Sequence, residues 1–126
     1  LYGMHISCLR FFTAYGPRQR PDMAIHKFAR CIDRDEKIPL YGDGTSRRDY
    51  TYIDDIIDGT VRAIQKVKGC EVYNLGESRS IELRTLVGLL ENHMGKKAKV
   101  EILPPQPGDP YVTFADVTKA RRRLGY

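Results

Sequence analysis

The sequence predicts an α/β domain with at least some parallel strand pairing, on three observations. Apolar runs of strand length alternate with longer stretches whose apolar residues recur at helical spacing. Glycine, proline and aspartate punctuate the joints, as at Gly16-Pro17, Gly42-Asp43-Gly44 and Gly108-Asp109-Pro110. The 126 residues, 41% hydrophobic and 29% charged, suffice for one ordinary core. With no repeat or linker composition in the chain, residues 1–126 are expected to form a single domain.

Taken in order, residues 5–12 carry Ile6, Leu9, Phe11 and Phe12 and read as a buried strand. Residues 13–21 read as a loop. Asp22 is placed to cap a helix from Met23 to about Asp35, with Ile25, Phe28, Ala29 and Ile32 on one face. Residues 38–52, IPLYGDGTSRRDYTY, then read as strand, tight loop, strand, because the two glycines permit positive φ and Tyr50-Thr51-Tyr52-Ile53 alternates. Arg47 and Arg48 stand at the mouth of this turn, where a guanidinium can grip an anion through two parallel hydrogen bonds. A phosphate-binding loop and a solvated hairpin both fit that stretch.

Asp54 can cap the next helix, Asp55 and Asp58 load its first turns, and Ile57, Val61 and Ile64 make the expected inward stripe. Residues 71–75 read as a strand and residues 76–79 as a turn. Leu83, Leu86, Val87, Leu90 and Met94 form the stripe of a long helix ended by Gly95. A strand over 99–103, a proline-bounded loop over 104–110 and a short helix over 117–124 complete the chain. Asp49 is expected to be structural and to orient Arg48, while Tyr50 and Tyr52 pack the sheet.

A net charge of +5 and a pI of about 9.2 favour anionic partners, and nucleic acid, acidic lipid or a diphosphate-bearing metabolite would each fit. Arg121-Arg122-Arg123 reads as a solvated helix face, and the basic stretches lack the interleaved aromatics of a single-strand binder. Cys8, Cys31 and Cys70 are widely spaced, with Cys8 and Cys31 on apolar faces, so buried thiols are expected. His5, His26 and His93 have no partner at ligand spacing, so no metal site is expected. No apolar run has the length of a membrane span, the opening LYGMHIS lacks a signal-peptide pattern, and a cytoplasmic location is the default.

Four segments, LRFFTAYGPRQRPDM (9–23), IPLYGDGTSRRDYTYIDD (38–55), VYNLG (72–76) and PQPGDP (105–110), resemble the NAD-dependent nucleotide-sugar epimerases and dehydratases in order and spacing. That family is the extended branch of the short-chain dehydrogenase/reductases. The resemblance covers the family's C-terminal, substrate-binding portion together with the last strands of its Rossmann sheet. The family's glycine-rich NAD turn does not occur here, and none of the eight tyrosines has Lys four residues later. The expectation is therefore a fragment without catalytic residues, whose residues 1–5 follow a missing catalytic helix and whose first strand lacks its sheet neighbours.

The resemblance implies roles residue by residue. Phe11 and Phe12 would form the rim of the cofactor site. Thr13 would stand where many members carry an Asn that touches the diphosphate, and the helix beginning near Met23 would aim its free N–H groups at the same group. Leu40 and Tyr41 would hold the pyrimidine, Tyr41 by stacking. Arg48 would bind phosphate, Arg47 has no family counterpart, Asp109 would accept from the ribose hydroxyls, and Gln106 would replace a second phosphate arginine. The implied ligand is a UDP-sugar, and the implied reaction is 4-epimerisation with NAD taking a hydride from C4 and returning it to the other face. Dehydratase or decarboxylase chemistry, and a stand-alone nucleotide-binding module, are the alternatives. The uncovered first strand is expected to invite pairing between two copies.

Overall fold

The computed structural model describes residues 3–126, so Leu1 and Tyr2 lie outside the described residues. The elements are β1 (Ile6–Phe11), β2 (Thr13–Tyr15), α1 (Ala24–Asp33), β3 (Lys37–Tyr41), β4 (Arg47–Tyr52) and α2 (Ile53–Gln65), then β5 (Cys70–Leu75), β6 (Ser80–Glu82), α3 (Leu83–Met94), β7 (Lys99–Leu103) and α4 (Thr118–Leu124). They sort into two compact units. One contains the segment ending at Pro17 with Asp49–Ser80 and Phe114–Tyr126; the other contains Arg18–Arg48 and Ile81–Thr113.

In the first unit β1 runs parallel to β5, from Ile6 opposite Cys70 to Phe11 opposite Leu75. The pair of strands β2 and β4 is also parallel, with Thr13 opposite Tyr50. Its core gathers Ile56, Ala63, Tyr73, Leu75, Ala115, Val117, Ala120 and Leu124, with Leu9, Phe12 and Ala14 packed against it. Leu75 and Leu124 are 0% and 1% exposed, and each burial contributes about 2 kcal/mol. Helix α2 approaches this core closely because position 59 is glycine: a Cβ there would stand 2.8 Å from atoms of Leu75 and Tyr126.

That approach decides which face of α2 is inward. Ile56, Gly59 and Ala63 are buried, whereas Ile57, Val61 and Ile64, the stripe expected to point in, are exposed. The sequence offers two apolar stripes, and the one with small residues wins since it allows the shorter distance. Residues 5–12 likewise depart from a fully buried strand. Ile6, Cys8, Arg10 and Phe11 of β1 are exposed, since among the described residues β1 pairs with β5 alone. Cys8 is thus an exposed thiol, contrary to expectation, while Cys31 is buried as expected.

In the second unit β3 pairs in parallel with β7, Lys37 opposite Lys99 through Tyr41 opposite Leu103. Helix α1 packs on α3, burying Phe28, Cys31 and Ile32 beside Leu86 and Val87. The stripe of α3 and its end at Gly95, in left-handed geometry at φ 64°, are as the spacing implied. Asp22 does not cap α1; its carboxylate pairs with Arg20 at 2.6 Å, and Met23 takes the capping position. Asp54 lies inside the first turn of α2, one residue past its start. The stretches 13–21 and 76–82 contain the short strands β2 and β6, which lack a periodic signal at three residues each.

Candidate functional site

The stretch joining β3 to β4 is not a hairpin turn. β3 belongs to a sheet with β7 and β4 to a sheet of order β2-β4-β6, so the loop passes between sheets and its own hydrogen bonds must be met locally. Gly42 and Gly44 adopt φ of 72° and 77°, the geometry their positions anticipated. Between them Asp43 projects a carboxylate that accepts the Thr45 hydroxyl and, at 3.0 Å, the Thr45 backbone N–H. These two bonds, the hydroxyl first, hold the Asp43 carboxyl below its usual range.

The loop is fastened on its other side by α3. No side chain caps this helix; instead Leu83 N–H donates to the Ser46 carbonyl at 2.9 Å and Arg84 N–H to the Gly44 carbonyl at 3.0 Å. Helix N-termini leave unmatched N–H groups, and here the loop supplies the acceptors. A second clamp comes from the segment after β7, where Arg47 N–H donates to the Tyr111 carbonyl at 2.8 Å and Thr113 N–H to the Arg47 carbonyl at 3.0 Å. Tyr111 is thereby brought beside a loop some sixty residues earlier in the chain. Its hydroxyl lies 2.6 Å from the Thr45 Oγ.

Arg48 is fixed by three acceptors. One terminal nitrogen donates to Asp109 at 2.6 Å, and the other donates to the Arg47 carbonyl at 2.9 Å and the Tyr111 carbonyl at 3.3 Å. Its side chain is only 16% exposed, while that of Asp109 is 52% exposed. A guanidinium has five N–H donors, so the fork retains free donors while its orientation is already set. Arg47 instead forms an ion pair with Glu82 at 2.9 Å.

Beside Arg48 lies a cleft of ≈ 370 Å³ lined by Tyr41, Asp43, Gln106, Asp109 and Tyr111, with Pro105 and Pro110 at its walls. Tyr41, Gln106 and Asp109, singled out in the sequence, meet here, and Arg48 reaches the edge through Asp109. Leu40 does not line it: its side chain is 6% exposed and packs under Gly44. Met23, half-buried, precedes α1. Phe11, Phe12 and Thr13 belong to the first unit, Phe11 exposed, Phe12 packed on the core and Thr13 opening β2. Asp43, Thr45 and Tyr111 had carried no functional expectation. The one sequence signal for Tyr111 is an aromatic directly after a proline-bounded loop.

Asp49, one residue after Arg48, is fully buried and accepts from the Glu77 N–H at 2.9 Å, the Ala115 N–H at 3.0 Å and the Thr51 hydroxyl at 3.2 Å. Among the described residues no group of three or more metal-ligating side chains is found, and no helix is long and apolar enough to cross a membrane. The one G-x-G of the chain, Gly42-Asp43-Gly44, opens into strand β4 and not into a helix whose N-terminus could receive phosphate.

Comparison with known proteins matches residues 1–76 to the NAD dependent epimerase/dehydratase family. A UDP-glucuronate 4-epimerase of Thermodesulfobacterium geofontis is 44% identical over the whole chain, which covers 39% of that relative. The crystal structure of UDP-glucuronic acid 4-epimerase from Bacillus cereus, in complex with UDP-glucuronic acid and NAD, superposes with a TM-score of 0.89 at 44% identity, covering 94% of this chain and 38% of that one. A dTDP-glucose 4,6-dehydratase from Streptomyces venezuelae with NAD bound gives 0.91 at 29% identity over 99% of this chain and 39% of that one. The chain thus spans about two fifths of the length of the curated relatives it matches, 39% for the first of them. Its α/β architecture with parallel pairing is that of the extended short-chain dehydrogenase/reductase fold, and the chain belongs to the NAD dependent epimerase/dehydratase family.

Proposed function

We propose that this chain is the sugar-nucleotide grip of an NAD-dependent UDP-sugar 4-epimerase, binding the ligand but turning nothing over alone. One observation carries the reading: a pre-oriented arginine stands at the edge of a cleft shared by an aromatic ring and a half-exposed carboxylate. The free N–H groups of Arg48 would donate to the diphosphate, where charge-assisted bonds are strongest. The Tyr41 ring supplies a stacking surface for the base. Asp109 can accept from ribose hydroxyls while its other oxygen keeps hold of Arg48, and the Gln106 amide stands beside it with a donor and an acceptor. The relatives named as UDP-glucuronate 4-epimerases support a uronate-bearing ligand.

When NAD is bound in a full enzyme it supplies the redox chemistry; the residues of this chain orient the nucleotide. The sequence supports catalytic silence, in that no tyrosine is followed by Lys at the fourth position. Dehydration is the second reading, favoured by the dehydratase neighbour. Titration calorimetry of the 126-residue chain with UDP tests the grip. Heat with a millimolar or tighter Kd is expected, and no heat at any concentration overturns the reading. NAD-dependent conversion of UDP-glucuronic acid by the purified chain would overturn the claim of silence.

A further inference from the structure

The hydrogen bonds around Thr45 have a forced direction. The Asp43 carboxyl is held below its usual range by the two bonds from Thr45, so as a carboxylate it can only accept. The one proton of the Thr45 hydroxyl is therefore committed to Asp43. Tyr111, 2.6 Å from the same oxygen, must then donate its own proton to Thr45. Its phenolic oxygen is left with lone pairs only.

We propose that the Asp43–Thr45–Tyr111 chain makes the Tyr111 hydroxyl an acceptor-only group in the cleft, and so selects nucleotides whose nucleoside part offers a hydrogen-bond donor there. This rests on the preceding reading of the cleft and deepens it from nucleotide binding to nucleoside choice. The placement follows from charge. The Asp43 carboxylate lines this cleft and repels phosphate, whereas the charge of Asp109 is offset by its ion pair with Arg48, so the neutral nucleoside belongs against the Asp43–Thr45–Tyr111 wall and the diphosphate at the Arg48 fork. The donor is a ribose hydroxyl or the N3–H of uracil. Cytosine, which carries a lone pair at N3, would meet the phenolic oxygen acceptor to acceptor.

Titration calorimetry of the 126-residue chain with UDP, 2′-deoxy-UDP, 3′-deoxy-UDP and CDP separates the sources. At least one analogue binds the wild type about fivefold more weakly than UDP, the worth of one hydrogen bond. Tyr111→Phe brings that ratio to within about twofold by weakening UDP, and Thr45→Ser, which keeps the hydroxyl, preserves it. Thr45→Val releases the phenolic proton; where the base is the source, CDP then binds more tightly than it does to wild type, a gain that mere loosening of the loop would not give. Far-UV circular dichroism of each variant confirms the fold. Equal binding of all four nucleotides by the wild type, or a ratio unchanged in Tyr111→Phe while UDP still binds, overturns the proposal. A wild type that binds no UDP overturns the reading beneath it instead.

Discussion

Arg48 and Asp49 are neighbours on one strand, yet they anchor two regions of opposite character. Asp49 is fully buried, and its oxygens collect two backbone N–H groups and a hydroxyl from Glu77, Ala115 and Thr51 of the first unit. Asp109, the carboxylate that holds Arg48, is half-exposed and bonded through one oxygen. The same chemical group is thus consumed in one place and left available in the other. What sets the carboxylate proposed to bind ligand apart from the structural one is unspent hydrogen-bonding capacity next to a cleft, not residue type or charge.

The sharpest way to break that contrast is to remove the buried partner. Asp49→Ala strands the buried Ala115 N–H and the part-buried Glu77 N–H and is expected to destabilise the chain by about 3 kcal/mol, read as a lowered midpoint in urea unfolding. A midpoint shift no larger than that of an ordinary surface change would mean that Asp49 carries no special load. Next in size, Arg48→Ala is expected to cost about 2 kcal/mol of UDP affinity, roughly 30-fold, with a much smaller change in stability. Loss of fold without selective loss of binding would move Arg48 to the structural side of the comparison.

Tyr126 supplies a third, smaller effect in the first unit. Its phenol is pushed up to about 12, by burial first and then by the charges of Asp55, Glu77 and Asp49. The folded state therefore favours the neutral phenol. That contribution is fully present below the unfolded value near 10 and is lost as pH rises from there through about 12. With solvent screening at this partly exposed site it amounts to about 1 kcal/mol or less. Absorbance titration of tyrosinate should show one late component near pH 12, absent in Tyr126→Phe. The smallest expected effect is at Arg122, exposed on α4: Arg122→Ala should leave stability within about 0.5 kcal/mol and UDP affinity unchanged. A steep loss of UDP binding there would bring the basic helix into the site.

Much of this was legible in the residues. The stripe of α3 with its terminal Gly95, the bounds of β7 and the glycine turn before Arg48 follow from local chemistry, which needs only a few neighbours along the chain. Tyr41, Gln106, Arg48 and Asp109 were identified through segments whose order matched a family, and the fold brings them to one place in the second unit. Where two local patterns competed, the sequence was ambiguous. Helix α2 carries one stripe at Ile57, Val61 and Ile64 and another at Ile56, Gly59 and Ala63, and nothing in their spacing says which faces a core.

By itself, then, the sequence determined the alternation of strands and helices and the positive-φ turn before Arg48, because each depends on periodicity or on the conformational limits of single residues. Only the tertiary structure decided that Tyr111 would touch Thr45, that Asp109 would hold Arg48, and that Asp49 would be consumed in the interior. Those contacts join residues separated by 66, 61 and 66 positions. Hydrogen-bond capacity is used up by whichever groups the fold brings within about 3 Å, and no local pattern records that distance.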